Sequence, residues 1–177
     1  MIPDQFPGDG FAPLIVTAEL PEDLKAWAER LRQACYPAER NQVEAHVTLF
    51  HALPPSCEAE LRDLLAEAAR GHAPPPARLE GAMSLGSGTA LKISSPAMTA
   101  LREDLADRFL GLLAPQDQHA PRLHVTVQNK VSEKAARALQ AELARRVHPR
   151  DFRFPALALH RYRGGPWEFV KRWSFRG

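Results

Sequence analysis

The chain has 177 residues and 45% apolar residues, which fits one domain or two closely joined lobes with a sizeable core and excludes a low-complexity disordered chain. No apolar run approaches the roughly 20 residues that a membrane helix needs, and residues 1–11 lack the basic start and apolar run of a secretory signal, so we expect a cytoplasmic protein without membrane contact. The net charge is +2, but residues 150–177 hold seven basic and two acidic side chains. This basic end is consistent either with attraction of a polyanion or with solvated arginines that protect edge strands.

Apolar periodicity and turn signals predict strand, helix, strand and helix in the first part of the chain. The β-branched run at 14–18 is typical of a strand. Proline and two acids at 21–23 begin a helix that ends before Pro37. Residues 43–50 predict the second strand, and Ser56 is the expected N-cap of the second helix.

A proline-rich turn at 71–76 precedes a hairpin, two more helices and three further strands. In chain order, the predicted elements are hairpin strands 78–85 and 89–94, a helix from Ser95 with an apolar stripe to Leu112, a strand at 122–129, a helix at 132–146, and strands at 152–162 and 168–175.

Two matching motifs lie at equivalent places in this pattern: HVTL at 46–49 and HVTV at 124–127. Side chains alternate in a strand, so each histidine and threonine should share one face while the apolar residues occupy the other. Strand, helix, motif strand and helix occupy residues 14–70 and again 89–146. A pseudo-two-fold arrangement of this repeat would bring both motifs into one pocket with the helices outside.

Two histidines and two threonines in one pocket suit phosphate-ester chemistry. An unperturbed pKa near 6.5 allows His46 and His124 to accept or donate a proton at neutral pH. The hydroxyls of Thr48 and Thr126 can donate hydrogen bonds to non-bridging phosphate oxygens. No cluster of His, Cys, Asp or Glu has metal-ligand spacing, so we expect no metal and no cofactor.

The duplicated motif resembles the two-histidine phosphoesterase superfamily, which includes the 2′-5′ RNA ligases and cyclic phosphodiesterases. Its mark is a His-x-Thr/Ser-x motif, x being apolar, in each of two similar lobes. Many bacterial members continue the first motif with Phe-Leu-Gly, whereas Phe50 is followed here by HALP. With the repeat, the resemblance implies an α+β fold in a single domain, 1–177, with two pseudo-symmetric lobes, mainly antiparallel sheets lining a central cleft, and helices outside.

The resemblance also implies hydrolysis of a 2′,3′-cyclic phosphate, at RNA ends or in small cyclic nucleotides, to a 2′-phosphate. It assigns His46 as proton donor to the leaving oxygen and His124 as proton acceptor from water. The reverse reaction would join a cyclic phosphate to a 5′-hydroxyl, as in a 2′-5′ RNA ligase. We expect a monomer.

Other residues have two interpretations each. Phe50 is a candidate base-stacking residue or a core residue, and Lys130, Arg161 and Lys92 are candidate phosphate contacts or solvated cations. His51 is expected in a loop and Trp167 and Trp173 in packing positions, and the histidines without a repeat partner are expected at the surface: His72, His119, His148 and His160.

Two other functions remain open from the sequence. One is a non-catalytic module that binds nucleotides or RNA ends through the basic C-terminal residues and the groove between the repeats. The other is a metal hydrolase that uses His46, His124 and a carboxylate.

Overall fold

The computed structural model describes residues 12–177, so the expectation about the N-terminal residues 1–11 lies outside it. The strands are β1 (Leu14–Ala18), β2 (Val47–Leu53), β3 (Pro76–Ser84), β4 (Thr89–Ser94), β5 (His124–Gln128), β6 (Arg150–Arg153), β7 (Ala156–Arg161) and β8 (Glu168–Ser174). The helices are α1 (Glu22–Cys35), α2 (Glu58–Gly71), α3 (Pro96–Arg108) and α4 (Glu133–Arg146). Within residues 12–177, no helix is long and apolar enough to cross a membrane.

The eight strands form two antiparallel sheets of the same design, which confirms the predicted α+β class. The strand order is β2-β1-β7-β8 in sheet A and β5-β4-β3-β6 in sheet B. In each sheet the motif strand is an edge strand, and its neighbour is the strand that precedes the intervening helix. The two motif strands, β2 and β5, lie against each other between the sheets. The repeat therefore places both motifs at the junction of the lobes.

The helices cover the outer faces of the sheets. Helix α2 packs on β7 and β8, α4 packs on β3 and β4, and α1 packs on β5. The Ser95 and Ser132 hydroxyls accept hydrogen bonds from backbone N–H groups in the first turns of α3 and α4, at 3.2 and 3.1 Å, and so cap these helices. The apolar residues of the strands meet the helix stripes there in one continuous core.

Ser56 does not cap α2, because the residue before that helix is Cys57 and no side chain caps it. Three further predicted boundaries are also wrong. Strand β2 begins at Val47 rather than residue 43, because side chains of α1 bind the preceding backbone: Arg32 donates to the Val43 carbonyl and Glu29 accepts from the Ala45 N–H. The strand predicted at 152–162 is divided into β6 and β7 at Pro155, which has no N–H to donate to a neighbouring strand. Helix α3 ends at Arg108, and the side chain of Leu112 is 51% exposed instead of extending the apolar stripe.

Candidate active site

The two motif histidines are held in the same way. His46 directly precedes β2 and His124 opens β5. The Nδ1 of His46 lies 2.6 Å from the Glu44 carbonyl oxygen, and that of His124 lies 2.5 Å from the Arg122 carbonyl oxygen, two residues earlier in both cases. A carbonyl oxygen only accepts, so each Nδ1 carries a proton and donates it. The Nε2 atom of each ring is therefore the nitrogen left to exchange a proton with a substrate.

The motif threonines follow on the same strand faces, as strand alternation predicts. Thr48 and Thr126 are half-buried, whereas the apolar residues beside them, Val47, Leu49, Val125 and Val127, are buried. Thr48 pairs with Thr17 of β1, and Thr126 pairs with Ala90 of β4. A hydroxyl accordingly stands one strand repeat from each histidine, where it can hydrogen-bond to an anion between the lobes.

Desolvation lowers the pKa of His46 to about 4, partly opposed by its hydrogen bond to the Glu44 carbonyl. Positive charge on Arg32, His160 or His124 lowers the pKa further. The contribution of His124, which belongs to the other lobe, is consistent with the contact between β2 and β5. His46 is consequently neutral near pH 7 in the unliganded protein.

Beside His46, a cavity of about 400 Å³ opens on the inner face of sheet A. Thr17, Ala158 and His160 line it from the sheet, and Trp167 and Phe169 line it from the last hairpin. The Trp167 ring is centred 4.7 Å from the His46 ring and 5.6 Å from the His160 ring. The cavity thus extends directly from one motif histidine along an aromatic wall.

Sequence reasoning missed His160 and Trp167 as residues of this site. His160 is not a surface group: its Nε2 lies 3.2 Å from the Thr17 hydroxyl oxygen, and burial lowers its pKa. Trp167 is not only a packing residue, because its ring contacts two imidazoles in the cavity. One signal was present in the sequence. The alanines at 156 and 158 occupy the same strand face as His160 and leave room above it.

Phe50 is a core residue, which overturns its interpretation as a base-stacking contact. Its side chain is 0% exposed, and the Arg102 guanidinium lies 4.5 Å from the centre of its ring. The pairing register of β1 and β2 explains why Phe50 lies on a different face from Thr48. Thr48 pairs with Thr17 but Phe50 pairs with Val16, so β2 carries one extra residue at this bulge. The bulge turns Phe50 to the helix-covered face instead of the face of Thr48.

Arg161 is also removed from the candidate substrate contacts. It makes an ion pair with Glu58 of α2 at 2.5 Å and approaches Glu168 at 3.4 Å. These bonds hold it on the outer face of sheet A, opposite the cavity side of His160. Lys130 is exposed in the turn after β5, with a φ of 55°, and stays a prediction. Lys92 is exposed on β4 and pairs directly with His124, so it remains a candidate contact.

Two buried arginines tie each lobe to the other lobe's motif strand. Arg32 of α1 is 4% exposed, and its Nη1 donates to the Thr126 carbonyl at 2.5 Å. Arg102 of α3 is also 4% exposed and donates to the Leu49 carbonyl at 3.2 Å. Both strands are sheet edges, so these bonds use carbonyls that the sheets leave free on that side. The arginines therefore fix β2 and β5 relative to each other.

The buried carboxylate of Asp117 also binds the backbone of β2. Asp117, 1% exposed, lies in the turn Pro115–Gln118 and accepts from the backbone N–H groups of His51 at 2.9 Å and Ala52 at 3.2 Å. His51 also approaches it through Nδ1 at 2.8 Å. His51 therefore lies within β2 and not in the loop that was expected.

Four of the seven basic C-terminal residues, Arg150, Arg161, Arg163 and Arg172, make ion pairs with carboxylates. Arg150 pairs with Asp23 and Arg172 pairs with Glu19, in addition to the pairing of Arg161.

Within residues 12–177, no group of three or more His, Cys, Asp or Glu side chains is arranged to hold a metal ion.

The sequence matches the model of the 2′-5′ RNA ligase superfamily over residues 20–166. The fold is similar to that of TT0787 of Thermus thermophilus, with 22% identity, a TM-score of 0.64, and coverage of 93% of this chain and 98% of that chain. It is also similar to E. coli LigT complexed with 3′-AMP (17% identity, TM-score 0.61, coverage 94% and 99%) and to a protein described as a phosphoesterase (17%, 0.59, 94% and 99%). No protein of curated function matches the sequence.

Proposed function

The chain belongs to the 2′-5′ RNA ligase superfamily, a superfamily of phosphoesterases and ligases, and we propose that it hydrolyses 2′,3′-cyclic phosphodiesters to 2′-phosphates without a metal. The observation that carries this proposal is the matched pair of imidazoles at the lobe junction. Each has Nδ1 fixed by a backbone carbonyl, which leaves Nε2 for proton exchange. One Nε2 can accept a proton while the other donates one, as an in-line displacement at phosphorus requires.

The proposed reaction balances with water alone. One histidine takes a proton from the attacking water as its oxygen bonds to phosphorus. The bond from phosphorus to the 3′-oxygen breaks, and the other histidine gives that oxygen its proton. The Thr48 and Thr126 hydroxyls donate hydrogen bonds to the non-bridging oxygens, where negative charge must be stabilised during the transfer. The products are a 2′-phosphate and a free 3′-hydroxyl.

We assign the donor role to His46 and the acceptor role to His124, as the family resemblance implies. His46 is neutral in the unliganded site because of desolvation. An anionic phosphate diester beside the ring favours the protonated imidazole, so substrate binding raises the pKa of His46 toward the state that a proton donor needs.

Nucleotide ligands in similar proteins support a nucleotide substrate. Structures of E. coli LigT hold 3′-AMP, NADP⁺ or ATP. Those ligands share a nucleobase, a ribose and phosphate, the groups present in a nucleoside 2′,3′-cyclic phosphate. We further propose that the protein acts as a monomer on RNA ends or small cyclic nucleotides, and that the reverse reaction gives 2′-5′ ligation when a 5′-hydroxyl replaces water.

The direct test is turnover of nucleoside 2′,3′-cyclic phosphates in the presence of EDTA. The proposal predicts a 2′-phosphate product and a bell-shaped dependence of kcat/KM on pH. Hydrolysis that requires an added divalent cation would instead favour the metal hydrolase.

A further inference from the structure

The cavity beside His46 has the composition of a site for a flat, uncharged group. Its wall contains Trp167, Phe169 and His160, with ring centres 5.6 Å apart for Trp167 and His160 and 5.9 Å apart for His160 and Phe169. Phe169 is 59% exposed although it is a large apolar side chain. Such a side chain on a cavity wall offers apolar area to a ligand.

The charged residues of the cavity are paired with each other. The Lys25 ammonium lies 2.6 Å from the Glu44 carboxylate, and the Arg172 guanidinium lies 2.5 Å from the Glu19 carboxylate. Lys25 and Arg172 therefore already have carboxylate partners. A phosphate group that entered the cavity would have to displace one of these carboxylates. The cavity is thus better suited to a neutral group with polar edges than to an anion.

The size and position of the cavity limit what occupies it. A volume of about 400 Å³ lies at the lower end of the range of about 300–1,000 Å³ for small-molecule sites, which fits one nucleoside rather than an oligonucleotide. His46 lines the cavity and also belongs to the phosphate site, so the two sites are continuous.

We infer that this cavity binds the nucleobase of the nucleoside that carries the cyclic phosphate, with Trp167 as the stacking platform and Phe169 and His160 as its other walls. The Thr17 hydroxyl positions His160 through their 3.2 Å contact. The inference rests on the proposed function, because the phosphate is placed between the motif histidines. It makes Trp167 a specificity residue: the enzyme prefers base-bearing cyclic phosphates and recognises a single terminal nucleoside.

The test compares adenosine 2′,3′-cyclic phosphate with glycerol 1,2-cyclic phosphate, which has the same five-membered ring and no base. Stacking on one aromatic side chain predicts a preference in kcat/KM of about 5-fold to 150-fold for the adenosine compound. Trp167→Ala should abolish most of this preference, mainly through a higher KM, and Trp167→Phe should restore most of it. Trp173→Ala is the matched control, because Trp173 packs against the core from the strand that follows Trp167 and does not line the cavity.

Tryptophan fluorescence gives a readout that does not depend on turnover. Adenosine 2′-monophosphate should quench the emission of the wild type and inorganic phosphate should not, and Trp167→Phe should lose the quenching. If neither cyclic phosphate is hydrolysed but the quenching follows this pattern, the proposed reaction fails and the base site stands. Equal kcat/KM for both substrates, or an unchanged preference in folded Trp167→Ala, would overturn the base site and leave the reaction intact.

Discussion

The chemistry of this site begins with a hydrogen bond that fixes a tautomer. At His46 and His124, the Nδ1–H group donates a hydrogen bond to a backbone carbonyl two residues earlier, which leaves Nε2 to exchange a proton. Within residues 12–177, no hydrogen bond from the protein engages either Nε2 atom. The same two-residue geometry occurs in both lobes because the same motif enters equivalent edge strands.

Removal of either imidazole should abolish most of the activity. His46→Ala and His124→Ala should each lower kcat/KM by more than about 100-fold, since one step of proton transfer loses its catalyst. Steady-state kinetics with a cyclic nucleotide measures this loss. His119→Ala is the matched control, because His119 is exposed and outside the cavity. Full activity in either motif variant would refute the two-histidine mechanism.

The two roles can be separated by the leaving group. An aryl phosphodiester such as bis(p-nitrophenyl) phosphate expels a stable anion that needs no proton, so loss of a general acid matters less for it. We therefore expect His46→Ala to be impaired less with this substrate than with a cyclic nucleotide, whereas His124→Ala should be impaired with both. The opposite pattern would exchange the roles of the two histidines.

Burial of His46 should make folding sensitive to acid. Its folded-state pKa of about 4 lies below the unfolded value of about 6.5, so the unfolded chain binds more protons between these values. The contribution of neutral His46 to the free energy of unfolding is fully present above about pH 6.5. It is lost as the pH falls toward 4, and the loss is at most about 3 kcal/mol. The lowered pKa of His160 acts in the same direction.

Urea denaturation at about pH 7.5 and about pH 4.5 measures this effect. The free energy of unfolding of the wild type should fall more between these pH values than that of His46→Gln, which cannot be protonated. An identical fall in both proteins would mean that His46 is not desolvated in the folded state.

At the scale of strands and helices, the alternation of apolar and polar residues was a good guide while the strands were regular. It predicted that Thr48 shares the face of His46 and that the neighbouring apolar residues are buried. It left Phe50 open between a core residue and a base-stacking contact; the structure shows a core residue, because a bulge inserts one residue into β2 and reverses the face. The bulge depends on the pairing with β1, which the local sequence of β2 does not reveal.

The residues that line the cavity could not be predicted from the sequence for a different reason. Its walls combine β1, β7, the last hairpin and the segment before β2, which are far apart in the chain. Duplication identified the motif residues because the same pattern occurred twice. His160 and Trp167 have no counterpart in the other half, so the repeat carried no information about them.

A substitution at Arg32 tests whether its hydrogen bonds fix the position of one lobe relative to the other. Arg32→Met leaves the Thr126 and Val43 carbonyls without their donor, so we expect the free energy of unfolding to fall by about 2–4 kcal/mol. We also expect kcat to fall more than KM rises, because the position of β5 relative to β2 sets the distance between the motif histidines. Arg30→Ala, at an exposed position on the same helix, is the control for both measurements. A destabilised variant with unchanged kcat would show that Arg32 serves stability alone.

At the scale of the whole molecule, the charge distribution favours an enzyme that acts on a terminal nucleotide over a module that binds the phosphate backbone of RNA. Several cations of the basic C-terminal residues are paired with carboxylates from distant parts of the chain, such as Asp23, Glu58 and Glu19. These ion pairs join β6, β7 and β8 to other parts of the chain. The paired arginines are less available to neutralise phosphates.

The salt dependence of RNA binding should therefore be shallow. A protein that neutralises 6–10 phosphates loses about 10³–10⁵ in affinity between about 50 mM and 200 mM salt. For a single-stranded RNA with a 2′,3′-cyclic phosphate end, we expect a loss of less than about 10-fold over that range, because one terminal nucleotide makes the main contacts. Fluorescence anisotropy with the His124→Ala variant, which keeps the RNA intact, measures it. A steep dependence without turnover in the wild type would favour the binding module.

The most direct test of the central claim is hydrolysis of a nucleoside 2′,3′-cyclic phosphate in EDTA by the wild type and by His124→Ala, with the product identified by phosphorus NMR. The two-histidine mechanism predicts a 2′-phosphate from the wild type and almost none from the variant. Equal product from both proteins, or no product until a metal ion is restored, would contradict it.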